Sequence, residues 1–141
     1  LQEMWKEYLN IDIKLLNQEW KVYLATESAG DYQISRGGWI GDYVDPNNFL
    51  DMFLCGGGNN RTGWCNKEYD RLILEVAPSQ SSHEERLAVF QQAETMLLDD
   101  MPIIPVYTYT SVKLVDSSVE NLDGNIMNQA MYKDIYLSPR Q

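Results

Sequence analysis

The chain has 141 residues, 44% of them hydrophobic and 23% charged, a composition that can build a folded core and argues against disorder. Eleven basic residues against 21 acidic ones give a formal charge of −10, which leaves no basic surplus to neutralise nucleic-acid phosphates or an anionic membrane. No apolar run approaches the roughly 20 residues needed to span a bilayer.

Leu1, Met4, Trp5, Tyr8 and Leu9 recur at helical spacing, so the chain opens directly in an amphipathic helix. With no starting Met and no signal peptide, it reads as a piece of something longer. Ile11, Ile13 and Leu15 alternate with Asp12 and Lys14, the pattern of a half-buried strand. Asn17 is placed to cap a second helix carrying Trp20, Tyr23 and Leu24, and Gly30 to end it. A second strand through Tyr32 and Ile34 follows. Helix, strand, helix, strand predicts an α/β layer with parallel pairing.

The stretch Ser35-Arg36-Gly37-Gly38-Trp39-Ile40-Gly41-Asp42-Tyr43-Val44-Asp45-Pro46 follows. Its three glycines remove side chains where another backbone must come close. Trp39 offers a flat surface with one N–H donor, and Asp42 a carboxylate next to a glycine. Such a carboxylate can hold an ammonium, and the bare backbone can pair with an extended peptide. A tight turn after a strand, with a solvated Asp, fits the same composition.

Asp45-Pro46 has the form of an N-cap before a helix with Phe49, Leu50, Met52 and Phe53. Asn66 caps the next helix, whose Tyr69, Leu72, Ile73 and Val76 share a face, and Pro78 to Ser82 break it. Ser81 with Glu84, or Ser82 with Glu85, starts a helix through about Asp100 with a core stripe of Leu87, Phe90, Ala93, Met96 and Leu97. His83 reads as an exposed polar residue of its first turn. Ile103 to Tyr109, which contains Pro105, fits an edge strand or an inter-lobe crossover. After Val115 the periodicity fades, and the tail to Ile135-Tyr136-Leu137 needs another body to pack on.

Cys55 and Cys65 flank a flexible loop that includes three consecutive glycines, Gly56 to Gly58. A disulfide there would stabilise by about 2–3 kcal/mol and imply an oxidising compartment; two buried thiols, or half of a metal site, are the alternatives. A single histidine and no Cys-x-x-Cys argue against zinc. Asp123-Gly124-Asn125 is a turn with too few carboxylates for calcium, and Asn60-Arg61-Thr62 matches a glycosylation acceptor. No phosphate loop, dinucleotide fingerprint, nucleophile elbow or zinc-protease motif is present, so the chain is expected to bind rather than catalyse, with no cofactor and no metal.

Laid out in this order, the chain resembles the C-terminal part of the bacterial oligopeptide-binding proteins, the extracytoplasmic solute-binding components of peptide ABC importers. The resemblance runs along essentially the whole chain. It is carried by Asn17-Gln18-Glu19-Trp20-Lys21, Arg36 to Tyr43, Asp45-Pro46 with Phe49-Leu50, Asn59-Asn60 with Thr62-Gly63-Trp64, Tyr69-Asp70, and Met101 to Tyr107. It implies an α/β fold that is part of a two-lobed periplasmic-binding-protein-like architecture. Residues 1–109 would be a C-terminal-lobe segment, and 110–141 the crossover and tail returning to a first lobe absent from this chain. It further implies a peptide ligand, a membrane permease as partner, and a periplasmic or otherwise extracytoplasmic location, with or without a lipid anchor on the full-length parent.

By position, the resemblance assigns Asp42 to the peptide's α-ammonium, and the backbone around Gly38 to Ile40 to the peptide main chain. Trp39 would line a side-chain pocket, Arg36 would receive the carboxylate of short peptides, and Tyr109 would face the ligand. Glu27 stands where some relatives carry an arginine for that carboxylate, so an inward-pointing acid would repel it. A dipeptide, a murein peptide, a metal chelate or haem are alternative ligands for such a fold. A structural or interaction domain that has kept the fold and lost transport is the alternative of another class.

Overall fold

The computed structural model describes residues 1–122, 127 and 129–139. The Asp123-Gly124-Asn125 turn lies outside the described residues. Two compact units divide the chain, Leu1–Arg36 and Gly37–Gln141.

The first unit holds α1 (Gln2–Leu9) and α2 (Trp20–Ala29). Asn10 ends α1 in the left-handed conformation at φ 55°, which asparagine tolerates better than most residues. The amphipathic face of α1 is present, but Leu1, Met4, Tyr8 and Leu9 are exposed. Asn17 does not cap α2. The Glu19 carboxylate does, accepting from the backbone N–H groups of Lys21 and Val22 at 2.9 and 3.4 Å. A glutamate carboxylate can reach the same orphan N–H groups that a shorter acceptor usually takes, and it does so here because Glu19 is the residue directly before the first helical turn. Gly30 ends α2 at φ 68°, as its lack of a side chain allows.

Neither Ile11–Leu15 nor Tyr32–Ile34 forms a strand. Among the described residues the single ladder is antiparallel, between β1 (Val119–Glu120) and β2 (Tyr136–Leu137), with Val119 opposite Leu137 and Glu120 opposite Tyr136. No parallel pairing is therefore present among the described residues. Alternation specifies which face would be buried, but a strand exists only when a neighbour supplies its backbone partners. The segment after α1 is instead tied back by the Gln2 side chain, which donates to the Ile13 carbonyl at 2.6 Å.

The second unit holds the core. Short α3 (Asn47–Leu50) leads through a 3₁₀ turn into the disulfide-closed loop, then α4 (Lys67–Arg71). A π-helical turn, Leu72–Val76, and α5 (Ala77–Ser79) continue it, and the long α6 (His83–Asp100) packs across. Asn66 caps α4 by accepting from Glu68 and Tyr69 N–H groups. Ser82 and Glu85 form the reciprocal capping box of α6. The chain runs helically past Pro78 and leaves the helix at Gln80, where ψ is 142°.

Leu50, Phe53, Tyr69, Leu72, Ile73, Ala77, Val89, Phe90, Ala93 and Leu97 make one buried cluster. The α6 stripe is right at Phe90, Ala93 and Leu97, Met96 packs partly buried against them, and Leu87 is exposed. Tyr69 is fully buried and its hydroxyl donates to the Leu50 carbonyl at 2.7 Å, which satisfies both groups and pins α3 to α4. From Ile104 to Val115 the chain has no regular secondary structure, forms no ladder, and is exposed; Val112 is 89% accessible.

Candidate functional site

The glycine-rich stretch enters the second unit at Gly37 and is held from one side by α3. Trp39 is half-buried, and its indole N–H donates to Asn48 Oδ1 at 2.9 Å. Asn48 Nδ2 in turn donates to the Tyr43 carbonyl at 3.2 Å. Gly41 lies against Phe49: a Cβ on it would come within 3.1 and 3.3 Å of the Phe49 ring, closer than side chains ordinarily sit. A side chain at Gly41 would oblige the Phe49 ring to shift by a few tenths of an ångström. Gly38 lies beside Tyr109, where a Cβ would meet the ring at an ordinary 3.8 Å. Tyr109 packs edge-on against Tyr107 with ring centroids 4.7 Å apart.

Pro46, not Asp45, holds the capping position of α3, and Asp45 stands one residue before it. Asp45 Oδ1 accepts from the Asn47 N–H at 2.9 Å, and its carboxylate takes both terminal nitrogens of Arg86 at 2.7 and 2.8 Å. The Arg86 guanidinium also stands 4.5 Å over the Phe90 ring. The two-pronged pair ties the end of the glycine-rich stretch to α6, 41 residues further along.

Hydrogen bonding from Arg86 holds the Asp45 carboxyl below the usual carboxylate range. A depressed native value stabilises the fold above the unfolded-state value of about 3.9 and is lost as pH falls through the lower native value. Replacing Arg86 by glutamine is expected to cost about 1–3 kcal/mol at pH 7. In urea unfolding, the gap between wild type and variant should close as pH is lowered from about 4 towards 2. A gap that stays constant would assign the cost to packing instead.

The structure brings Gly38, Trp39 and Tyr109 into one unit with Asp42, which lies exposed on the loop, and with Ile40, which is 87% accessible. Arg36 belongs to the first unit, where the Tyr23 hydroxyl lies 3.1 Å from its carbonyl. In that unit Glu27 accepts from the hydroxyls of Tyr23 at 2.8 Å and Ser35 at 3.1 Å. Desolvation and the neighbouring Glu27 push the Tyr23 phenol upward. Glu27 thus fixes the approach to the stretch locally. Asn48 and the Asp45–Arg86 pair are the residues that sequence reasoning missed. The polar run Asp45-Pro46-Asn47-Asn48 was the available signal.

Cys55 and Cys65 are disulfide-bonded, with Cα atoms 4.5 Å apart. Inside their loop Asn60 Nδ2 lies within 2.9–3.1 Å of the Phe53, Leu54 and Trp64 carbonyls. That amide is engaged by the loop itself. Among the described residues no group of three or more His, Cys, Asp or Glu side chains is arranged to hold a metal ion, and no helix is long and apolar enough to cross a membrane.

Residues 1–61 match the family model described as bacterial extracellular solute-binding proteins, family 5 middle. The chain is 44% identical over 128 residues to the oligopeptide-binding protein OppA of Bacillus subtilis, covering 90% of this chain and 23% of that protein. It is 41% identical over 122 residues to the dipeptide-binding protein DppE of the same organism, covering 86% and 22%. Among solved structures it superposes on Haemophilus influenzae OppA in complex with the peptide RPPGFSPFR, with a TM-score of 0.82, 32% identity and coverage of 96% and 27%. The chain therefore spans about a quarter of the length of the curated relatives it matches. The solved neighbours are two-lobed peptide-binding proteins, so this mixed helix-and-sheet chain is part of that α/β architecture.

Proposed function

We infer that this chain, which belongs to the bacterial extracellular solute-binding proteins of family 5, supplies one wall of a cleft that captures peptides for an ABC importer. The observation that carries the reading is the stretch Gly38 to Asp42. Its backbone and its carboxylate are open, while the side chains behind it are anchored to the core through Asn48 and Asp45. A ligand with a free amine and an extended main chain has complementary groups: the amine for Asp42, the peptide backbone for Gly38 to Ile40. Side chains of the ligand would then be read loosely, beside Trp39 and Tyr109. Arg36 is assigned to the carboxylate of short peptides.

The rest of the two-lobed fold would close the cleft from the other side. The exposed apolar residues between Ile104 and Val115 support this, because they have the character of a segment that crosses to and packs on another body. The disulfide supports a location outside the reducing cytoplasm. A membrane permease is the partner in this reading, and the chain acts by binding, without a cofactor. A shorter ligand, a dipeptide or a murein peptide, is the second reading. It is favoured by the 41% identity to the dipeptide-binding protein of Bacillus subtilis and 36% to the murein peptide-binding protein of Escherichia coli.

The test is thermal unfolding of the full-length protein with and without a mixed library of tri- to pentapeptides. A ligand that binds the native state alone raises the melting temperature. A clear upward shift is expected. No shift with the library, and a shift with dipeptides or murein tripeptide, would move the assignment to the second reading.

A further inference from the structure

We propose that Asn48 is the positioning residue of the ligand-facing stretch: it touches no ligand, yet sets the orientation of Trp39 and the path of the backbone from Gly41 to Tyr43. The inference rests on the reading of Gly38 to Asp42 as the ligand wall. Asn48 is 2% exposed, the one buried polar residue of the described chain. A buried amide is costly unless its groups are paired, and here both ends are used. The indole N–H of Trp39 can only donate and the Tyr43 carbonyl can only accept. Oδ1 must therefore face the indole and Nδ2 the carbonyl; turned over, the amide would set donor against donor and acceptor against acceptor. No other arrangement of the same three groups satisfies them.

The residue that imposes this geometry is itself rigid. It lies in α3, whose start is held by Asp45 and Arg86 and whose end places Leu50 in the core under the Tyr69 hydroxyl. Trp39 is only half-buried, so its orientation is not dictated by packing alone. One side chain thus couples the aromatic surface at Trp39 to the loop that carries Asp42. A site held by such a second layer loses affinity when the layer loosens, even though no contact to ligand is removed.

The experiment uses the full-length protein, with trialanine as the probe and isothermal titration as the readout. Asn48→Leu is expected to weaken binding by about 10–100-fold, the loss that two broken hydrogen bonds produce. The same substitution in a Trp39→Phe background, which has no indole N–H, should cost clearly less. Independently of any variant at 48, hydrogen exchange of the tryptophan indole N–H groups reports the geometry in the wild type. Trp39 should exchange at least about 10-fold more slowly than Trp20, a residue that is 66% exposed in this chain. Equal exchange at the two indoles overturns the proposal, as does undiminished trialanine binding by a folded Asn48→Leu protein. If the wild-type protein itself ignores trialanine while Trp39 is protected, the peptide reading is what falls, and the positioning role falls with it.

Discussion

Removing the carboxylate of Asp42 is expected to weaken peptide binding by the full-length protein about 100-fold or more, the usual cost of truncating one partner of a covered charge pair. The size of the effect measures how well the site is covered. Asp42 is exposed in this chain, and an ammonium 4 Å away in bulk water gains only about 1 kcal/mol. Once a ligand and the facing lobe exclude water, an effective dielectric near 20 raises the attraction to about 4 kcal/mol. Asp42→Asn keeps the size and shape of the side chain and removes only the charge. Asp42→Ala and Asp42→Asn should therefore lose affinity to a similar degree, with thermal stability of the unliganded protein nearly unchanged. A loss below about 5-fold in both would mean a solvated pair and a different anchor for the amine.

The second large effect is on stability. The double variant Cys55→Ala, Cys65→Ala is expected to lose about 3 kcal/mol, the loop-closure contribution of a link between residues ten apart in sequence. The loop has other restraints. The Asn60 side-chain amide lies within hydrogen-bond distance of three carbonyls, Asp70 accepts from the Cys55 N–H at 2.9 Å, and the Trp64 indole donates to Asp100 at 2.9 Å. These act in the folded state, whereas the disulfide acts mainly by restricting the unfolded chain, so the two contributions are separate. The denaturation midpoint should fall while trialanine affinity stays within about 2-fold, because no ligand-assigned residue lies in the loop. A loss of less than about 1 kcal/mol would show that the unfolded chain keeps the loop closed without the bond.

Local chemistry was legible in the sequence and pairing at a distance was not. Gly30, Asn66 and the Ser82–Glu85 box end or begin helices as their side chains dictate, and Phe90, Ala93 and Leu97 fall on the core face by spacing alone. Asn17 and Glu19 show the limit. Both can accept a backbone hydrogen bond, and the turn geometry selected Glu19. The strands expected at Ile11–Leu15 and Tyr32–Ile34 failed because a ladder depends on a neighbour that sequence periodicity does not reveal. Asp45 was legible as marking a helix start, although α3 begins one residue later than expected, with Pro46 in the capping position, and its pairing with Arg86 joins residues far apart in sequence. Asn48 was the hardest to see. A polar residue two places after a proline looks solvated until the fold closes over it.

The most direct measurement is a comparison of two ligands on the full-length protein: trialanine and its N-acetylated form, by isothermal titration. They differ in one group, the amine assigned to Asp42. The expected result is binding of the free-amine peptide and a loss of about 100-fold or more on acetylation, a loss that disappears in Asp42→Asn. Equal affinity for the two peptides would contradict the assignment of Asp42 and leave the glycine-rich stretch without its anchor.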